Sequence, residues 1–180
     1  MFLRWGTAQV DLFASKHNSQ LPVFMSLILD PAALIQDALS VSWAHLDAYG
    51  FPPFALLAKV LRKAKMELCV VTPVAPYWPE SDWFPELLDL LIDFPRSLPV
   101  WPDLLSHNGL CHPDPAMFHL HAWRLSNNLT GRRDFLAKLP LISPHSRERA
   151  LWPFTMPNGE SLAIGAVGNR LVLSRPLYPS

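Results

Sequence analysis

Hydrophobic residues recur along the chain in short runs separated by proline, glycine and charge, and each run predicts an element. Residues 10–14 (Val-Asp-Leu-Phe-Ala) form an apolar run of strand length, and residues 15–20 a polar turn. A second extended run covers 22–29. Asp30-Pro31 then reads as a helix cap with proline at the first helical position. Leu34, Ile35, Ala38 and Leu39 share one helical face, so a helix is expected over 32–39. Residues 48–51 read as a core strand. The strongest helical pattern runs over 54–65, with Ala55, Leu56, Leu57, Val60 and Leu61 on one side and Lys59, Arg62, Lys63 and Lys65 on the other. Its basic residues fall late, where they complement the negative end of the helix dipole. Residues 67–75 predict a strand buried on both faces, 83–92 an amphipathic helix and 98–101 one more strand. Met117, Leu120, Ala122 and Leu125 have helical spacing. Beyond about 126 the pattern weakens, apart from a strand-like Leu171-Val172-Leu173.

Strands alternating with helices imply parallel βαβ units and an α/β architecture. Ligands in such sheets bind at the carboxyl ends of the strands. Two proline-rich segments, 51–54 and 74–79, fall at such ends.

Composition narrows the setting. The chain has 180 residues, half of them hydrophobic, enough for one domain with a real core. Nineteen prolines favour short elements and stiff turns over long helices. Formal net charge is zero, so no global attraction to nucleic acid is expected; a local patch such as Arg132-Arg133 or Arg147 and Arg149 would have to supply one. Cys69 and Cys111 are the only cysteines, which points to a reducing compartment. The first residues lack the apolar core of a secretion signal, and no run reaches the roughly 20 apolar residues that span a bilayer. The expected setting is intracellular, cytoplasmic or nuclear, away from membranes.

Three constellations carry candidate chemistry. In Phe51-Pro52-Pro53-Phe54 a strand opens into a helix between two aromatics, a geometry that resembles the catalytic loop of amino-methyltransferases. There a polar residue before Pro-Pro accepts a hydrogen bond from the target amino group, a proline carbonyl accepts another, and the aromatic stacks on a flipped base. Phe54 keeps the stacking ring and Pro52 the carbonyl, but Phe51 accepts nothing, and losing such an acceptor costs about 3–4 kcal/mol of transition-state stabilisation. An ordinary strand-to-helix junction has the same spacing. In the second constellation Tyr77, Trp78 and Trp83 form an aromatic loop able to stack on a base or adenosine, or simply to lid a core. The third gathers His107, Cys111, His112, His119 and His121 without any Cys-x-x-Cys, so no metal site is assigned. Asp82, Glu86, Asp89 and Asp93 have the spacing of a solvated helical face. Neither a phosphate loop nor a nucleophile elbow is present.

Read in order, several phrases resemble the segment that follows the RNase H domain in polyproteins of DIRS-type retrotransposons. These are Val10-Asp11-Leu12-Phe13-Ala14 with Asn18, Ala48-Tyr49-Gly50-Phe51-Pro52-Pro53-Phe54, Val74-Ala75-Pro76-Tyr77-Trp78-Pro79 with Trp83-Phe84, Leu98-Pro99 with Asp103-Leu104-Leu105, and His112-Pro113 with Ala122-Trp123-Arg124-Leu125. That segment in turn resembles a Dam-type DNA adenine methyltransferase. The resemblance covers residues 5–126. It implies a Rossmann-like, methyltransferase-type layered sheet over 1–126 and an irregular, partly disordered tail over 127–180. It places Asp11, Phe13 and Ala14 on the S-adenosylmethionine side and residues 51–54 on a degenerate catalytic loop. The expected function is a catalytically impaired methyltransferase-like domain, without cofactor unless the fold retains S-adenosylmethionine binding, that meets DNA or other polyprotein domains. The alternatives are an active adenine-N6 methyltransferase using another acceptor such as Asp11, and a non-functional genomic fragment.

Overall fold

The structure, a computed structural model, describes residues 2–101, 105–107, 110–142, 154–155 and 162–178. In chain order it holds helix α1 (Phe2–Trp5), strands β1 (Val10–Asp11), β2 (Met25–Ser26), β3 (Ile35–Gln36) and β4 (Asp47–Gly50), helix α2 (Leu57–Met66), strand β5 (Val70–Pro76) and helix α3 (Phe84–Asp89). Then come β6 (Arg96–Ser97), β7 (Ser106–His107), β8 (Leu110–Cys111), β9 (Leu120–Ala122), β10 (Leu125–Ser126), helix α4 (Leu129–Lys138), β11 (Phe154–Thr155), β12 (Leu162–Val167) and β13 (Arg170–Pro176). The chain is mixed α/β.

One sheet organises it, in the order β1-β4-β5-β9-β6-β13-β12-β11, with β10 also on β5. Its β1–β4–β5 section is parallel. β9 and β10 run antiparallel to β5. β13 lies parallel to β6, and β12 and β11 return antiparallel. The periodic run over 54–65 forms as expected: a 3-10 turn (Phe54–Leu56) leads into α2, which buries Leu57, Val60, Leu61 and Ala64. β5 is buried along nearly its whole length, as its apolar run requires.

The main core joins α2, α3 and Phe135 of α4 to the sheet residues Val10, Ala48, Val71, Ala75, Ile164 and Val172. On the other face Tyr49 and Val74 pack with Ala8, Leu21, Leu120, Phe51, Leu98, Leu105 and Phe118. Side chains alternate across a strand, so Ala48 and Tyr49 necessarily serve different clusters. The helical core residues thus gather on one face, while loops and a 3-10 turn (Pro115–Phe118) cover the second. A doubly wound sheet carries helices on both.

Three expectations are corrected. The helix over 32–39 does not form. Asp30 does cap a turn, accepting from Ala32 N at 3.0 Å, but Asp37 adopts a left-handed φ of 55° and Ile35–Gln36 pairs with β2. An eight-residue helix gains too little from propagation to compete with strand pairing. No α-helix forms over residues 117–125 either: a 3-10 turn ends at Phe118, and β9 is wedged between β5 and β6 and buried throughout, so its apolar positions answer to two sheet neighbours. The described part of 127–180 is not an irregular tail. Asn128 caps α4 by accepting from Thr130 and Gly131 N, and Phe135, Leu139, Ile164 and Val172 complete the main core. Residues 143–153 and 156–161, which the tail expectation also covers, lie outside the described residues.

Candidate functional site

The parallel register brings the candidate segments together. Asp11 lies opposite Tyr49, Tyr49 opposite Thr72 and Gly50 opposite Pro73, so β1 and β4 end side by side while β5 runs on in the same direction to Pro76. The loops opening at Leu12, Phe51 and Tyr77 leave one edge. Gly50 sits in a tight fit there: a Cβ would sit 3.0 Å from the Phe13 ring and 3.5 Å from Leu12 Cβ. Two prolines then end β4, because neither can donate to a ladder. The Pro53 carbonyl accepts from Leu56 N at 2.8 Å, which starts the turn into α2.

Around this junction the aromatic rings meet one another. Phe54 lies 6.0 Å from Phe51, 5.2 Å edge-on from Trp78 and 5.5 Å from Phe118; Phe118 in turn lies 4.9 Å edge-on from His112. Phe51, where the methyltransferase resemblance expects an acceptor, packs with the second cluster. Pro52 is buried and Pro53 exposed. Phe118 and His112 enter this group without any local signal in the sequence; Phe118 ends the 3-10 turn before β9, and His112 lies in the loop that leads into it. The other stacking candidates point elsewhere. Tyr77 and Trp83 both flank Phe84, at 5.6 and 6.0 Å, and pack against the main core.

Asp11, Phe13 and Ala14 are 2%, 9% and 6% exposed. Asp11 Oδ2 accepts from Gln20 N at 3.0 Å, and burial raises its pKa against the lowering effect of the Gln20 and Phe13 backbone N–H groups. Phe13 meets Trp43 edge-on at 6.4 Å, and Ala14 N donates to the Met25 carbonyl. These positions do not fit S-adenosylmethionine: the side chains that would line it close the end of β1 against Gly50 and Trp43. Nor does Asp11 stand in for the missing acceptor. It lies level with Tyr49, two residues before Phe51, and faces the Gln20 backbone. Burial raises the Tyr49 hydroxyl pKa, and the Asp11 charge adds to the effect.

Beyond Asp11 and Tyr49 the same sheet row continues with a network that sequence reasoning missed. Arg124 donates to both carboxylate oxygens of Asp47 and, at 2.8 Å, to Thr72 Oγ1. It ties β4 and β5 to the turn between β9 and β10. Only the fold brings Arg124 and Asp47 together.

Among the described residues no group of three or more His, Cys, Asp or Glu is placed to hold a metal. His121 is buried between Tyr77 and Trp123, with Nδ1 2.6 Å from the His119 carbonyl; His119 is exposed. Burial pushes the His121 pKa down to about 4. The side chains of His107 and Cys111 lie outside the described residues, as do Asp103 and Leu104. The helical carboxylates engage partners from other elements: Glu86 with Lys65 at 3.1 Å, Asp89 with Arg132 at 2.7 Å and Asp93 with the Trp5 indole at 2.7 Å.

The rim of the aromatic edge is acidic. Glu80, Asp82 and Asp114 are exposed in its loops, and Arg96 is the only Lys or Arg between Lys65 and Arg124. No protein-family model, curated protein or solved structure matches the chain. No helix among the described residues is long and apolar enough to cross a membrane.

Proposed function

We propose that this chain is a retrotransposon-derived, methyltransferase-like domain that has lost methyl transfer and serves as an interaction module of its polyprotein. The ordered DIRS-type phrases support the ancestry. A Rossmann-like origin gains support from the parallel β1–β4–β5 section, which ends at the Asp11 and Phe51-Pro52-Pro53-Phe54 segments together. The observation that carries the loss of activity is Phe51: where an acceptor is needed, its ring packs with Phe54 and the second cluster. Removing one such acceptor costs about 3–4 kcal/mol, or two to three decades in rate.

The partner favoured at this edge is protein. Exposed Glu80, Asp82 and Asp114 repel phosphates, and half-buried Phe54 and Trp78 offer apolar contact to a cationic segment of a neighbouring polyprotein domain. The test is transfer of a labelled methyl group from S-adenosylmethionine to adenine in DNA, with calorimetry of the cofactor alone. Neither transfer nor binding at millimolar cofactor is expected. Turnover that disappears in Phe54→Ala would overturn the reading.

A further inference from the structure

Helix α4 carries two working faces. Gly131, Phe135 and Leu139 turn inward: a Cβ on Gly131 would meet Ile92 at 3.6 Å, and Phe135 stands edge-on to Phe94 at 5.3 Å. Leu129, Arg132, Arg133, Leu136 and Ala137 fall at i, i+3, i+4, i+7 and i+8, which is a second stripe on the same helix. With Arg170 of β13 they line a groove of about 380 Å³. Leu129 is 76% exposed, a large aliphatic side chain with little to cover it.

The charge of the groove is one-sided. Arg132 is held by Asp89, and Arg170, which also lines the groove, donates through Nη1 to the Leu139 carbonyl at 2.8 Å. Arg133 is exposed, and no carboxylate among the described residues pairs with it. Guanidinium forks match carboxylates and phosphates equally well. The rest of the lining separates those partners. Among the described residues it contains no aromatic ring on which a base could stack, and its cations gather in one concavity instead of following a backbone track. Leucine and alanine between arginines match aliphatic side chains between carboxylates.

We propose that the α4–β13 groove binds an acidic polypeptide segment bearing aliphatic side chains at helical spacing. It shares no residue with the aromatic edge, so the outcome of the methyl-transfer test does not bear on it. The test titrates the full chain with a labelled amphipathic peptide of glutamate and leucine, and separately with labelled oligothymidylate. Saturable peptide binding is expected, weakened about ten-fold or more by Arg133→Glu and similarly by Leu129→Asp. Both side chains are exposed, so the thermal unfolding midpoint should stay in place. Absent peptide binding, or binding indifferent to both variants, overturns the proposal. Tighter oligothymidylate binding that is lost in Arg133→Glu assigns the groove to phosphates and overturns it as well.

Discussion

At the β1–β4–β5 end of the sheet, strand ends, prolines and aromatics are arranged as in a catalytic edge, yet their side chains are turned upon one another. Phe13 covers Gly50, Phe51 leans on Phe54, and Asp11 faces a backbone N–H. At the β13 end nothing resembles a known motif, yet Arg133 and Leu129 stand open to solvent on a helix whose inner face is already packed. Likeness to an active site and availability for binding have separated. Under the proposed function, ancestry shows in where residues sit along the strands, and present use in which of them still lack a neighbour.

If both ends belong to one cooperative unit, Phe135→Ala should destabilise the whole chain, the largest expected effect. Phe135 is 1% exposed and meets Phe94 edge-on. Truncating a buried phenylalanine costs about 3–5 kcal/mol. Denaturant unfolding followed by tryptophan fluorescence, in a chain whose other five tryptophans are replaced by phenylalanine so that buried Trp43 and Trp123 report, should show a single transition moved to lower denaturant. An unmoved tryptophan transition would make the α4–β13 end a separate appendage.

What the sequence revealed follows the same division. β4, α2 and β5 were legible because each has enough consecutive residues to show its period, whether a buried run or a helical face. The methyltransferase resemblance expects the Asp11 and Phe51 strand ends side by side, and β1 and β4 are neighbours with Asp11 opposite Tyr49, whereas Tyr77 follows the longer β5 and packs against the main core. Two-residue strands such as β3 and β6 are too short to display alternation, so local spacing over 32–39 favoured a helix that β2 pairing displaces. Phe118 and His112 join the aromatic edge, and Arg124 joins Asp47, across large sequence separations without local signature. The weak pattern after 126 misled because α4 divides its apolar residues between two faces.

His121 lies on the hinge of the comparison, on β9 next to β5, and links its packing to pH. Its pKa falls from 6.5 to about 4 on folding because burial disfavours the charged ring. Between those values the unfolded chain binds the extra proton, so stability rises with pH. The contribution is fully present above pH 6.5 and disappears as pH falls through about 4, a change of about 3 kcal/mol. His121→Phe keeps a ring between Tyr77 and Trp123 but has nothing to protonate. Urea unfolding at pH 7 and near pH 4.5 should therefore show the variant gaining on the native chain in acid. Parallel pH dependence of the two would remove His121 as the cause.

The smallest effect examines how tightly the β1–β4–β5 end is closed. In an open strand Gly50→Ala would stabilise by about 0.4–1 kcal/mol through the unfolded chain. Here the new methyl group would stand 3.0 Å from the Phe13 ring, which is 9% exposed and has Trp43 beside it. Overpacking of this kind costs about 1–3 kcal/mol, so the crowding should win and leave a net loss of about 1 kcal/mol. Phe13→Leu removes the obstructing ring edge. In that background Gly50→Ala should become neutral or mildly stabilising, a coupling that a double-mutant cycle reads directly. Additive behaviour of the two substitutions would mean that Phe13 does not seal this edge, and the contrast with the open α4 stripe would lose its structural basis.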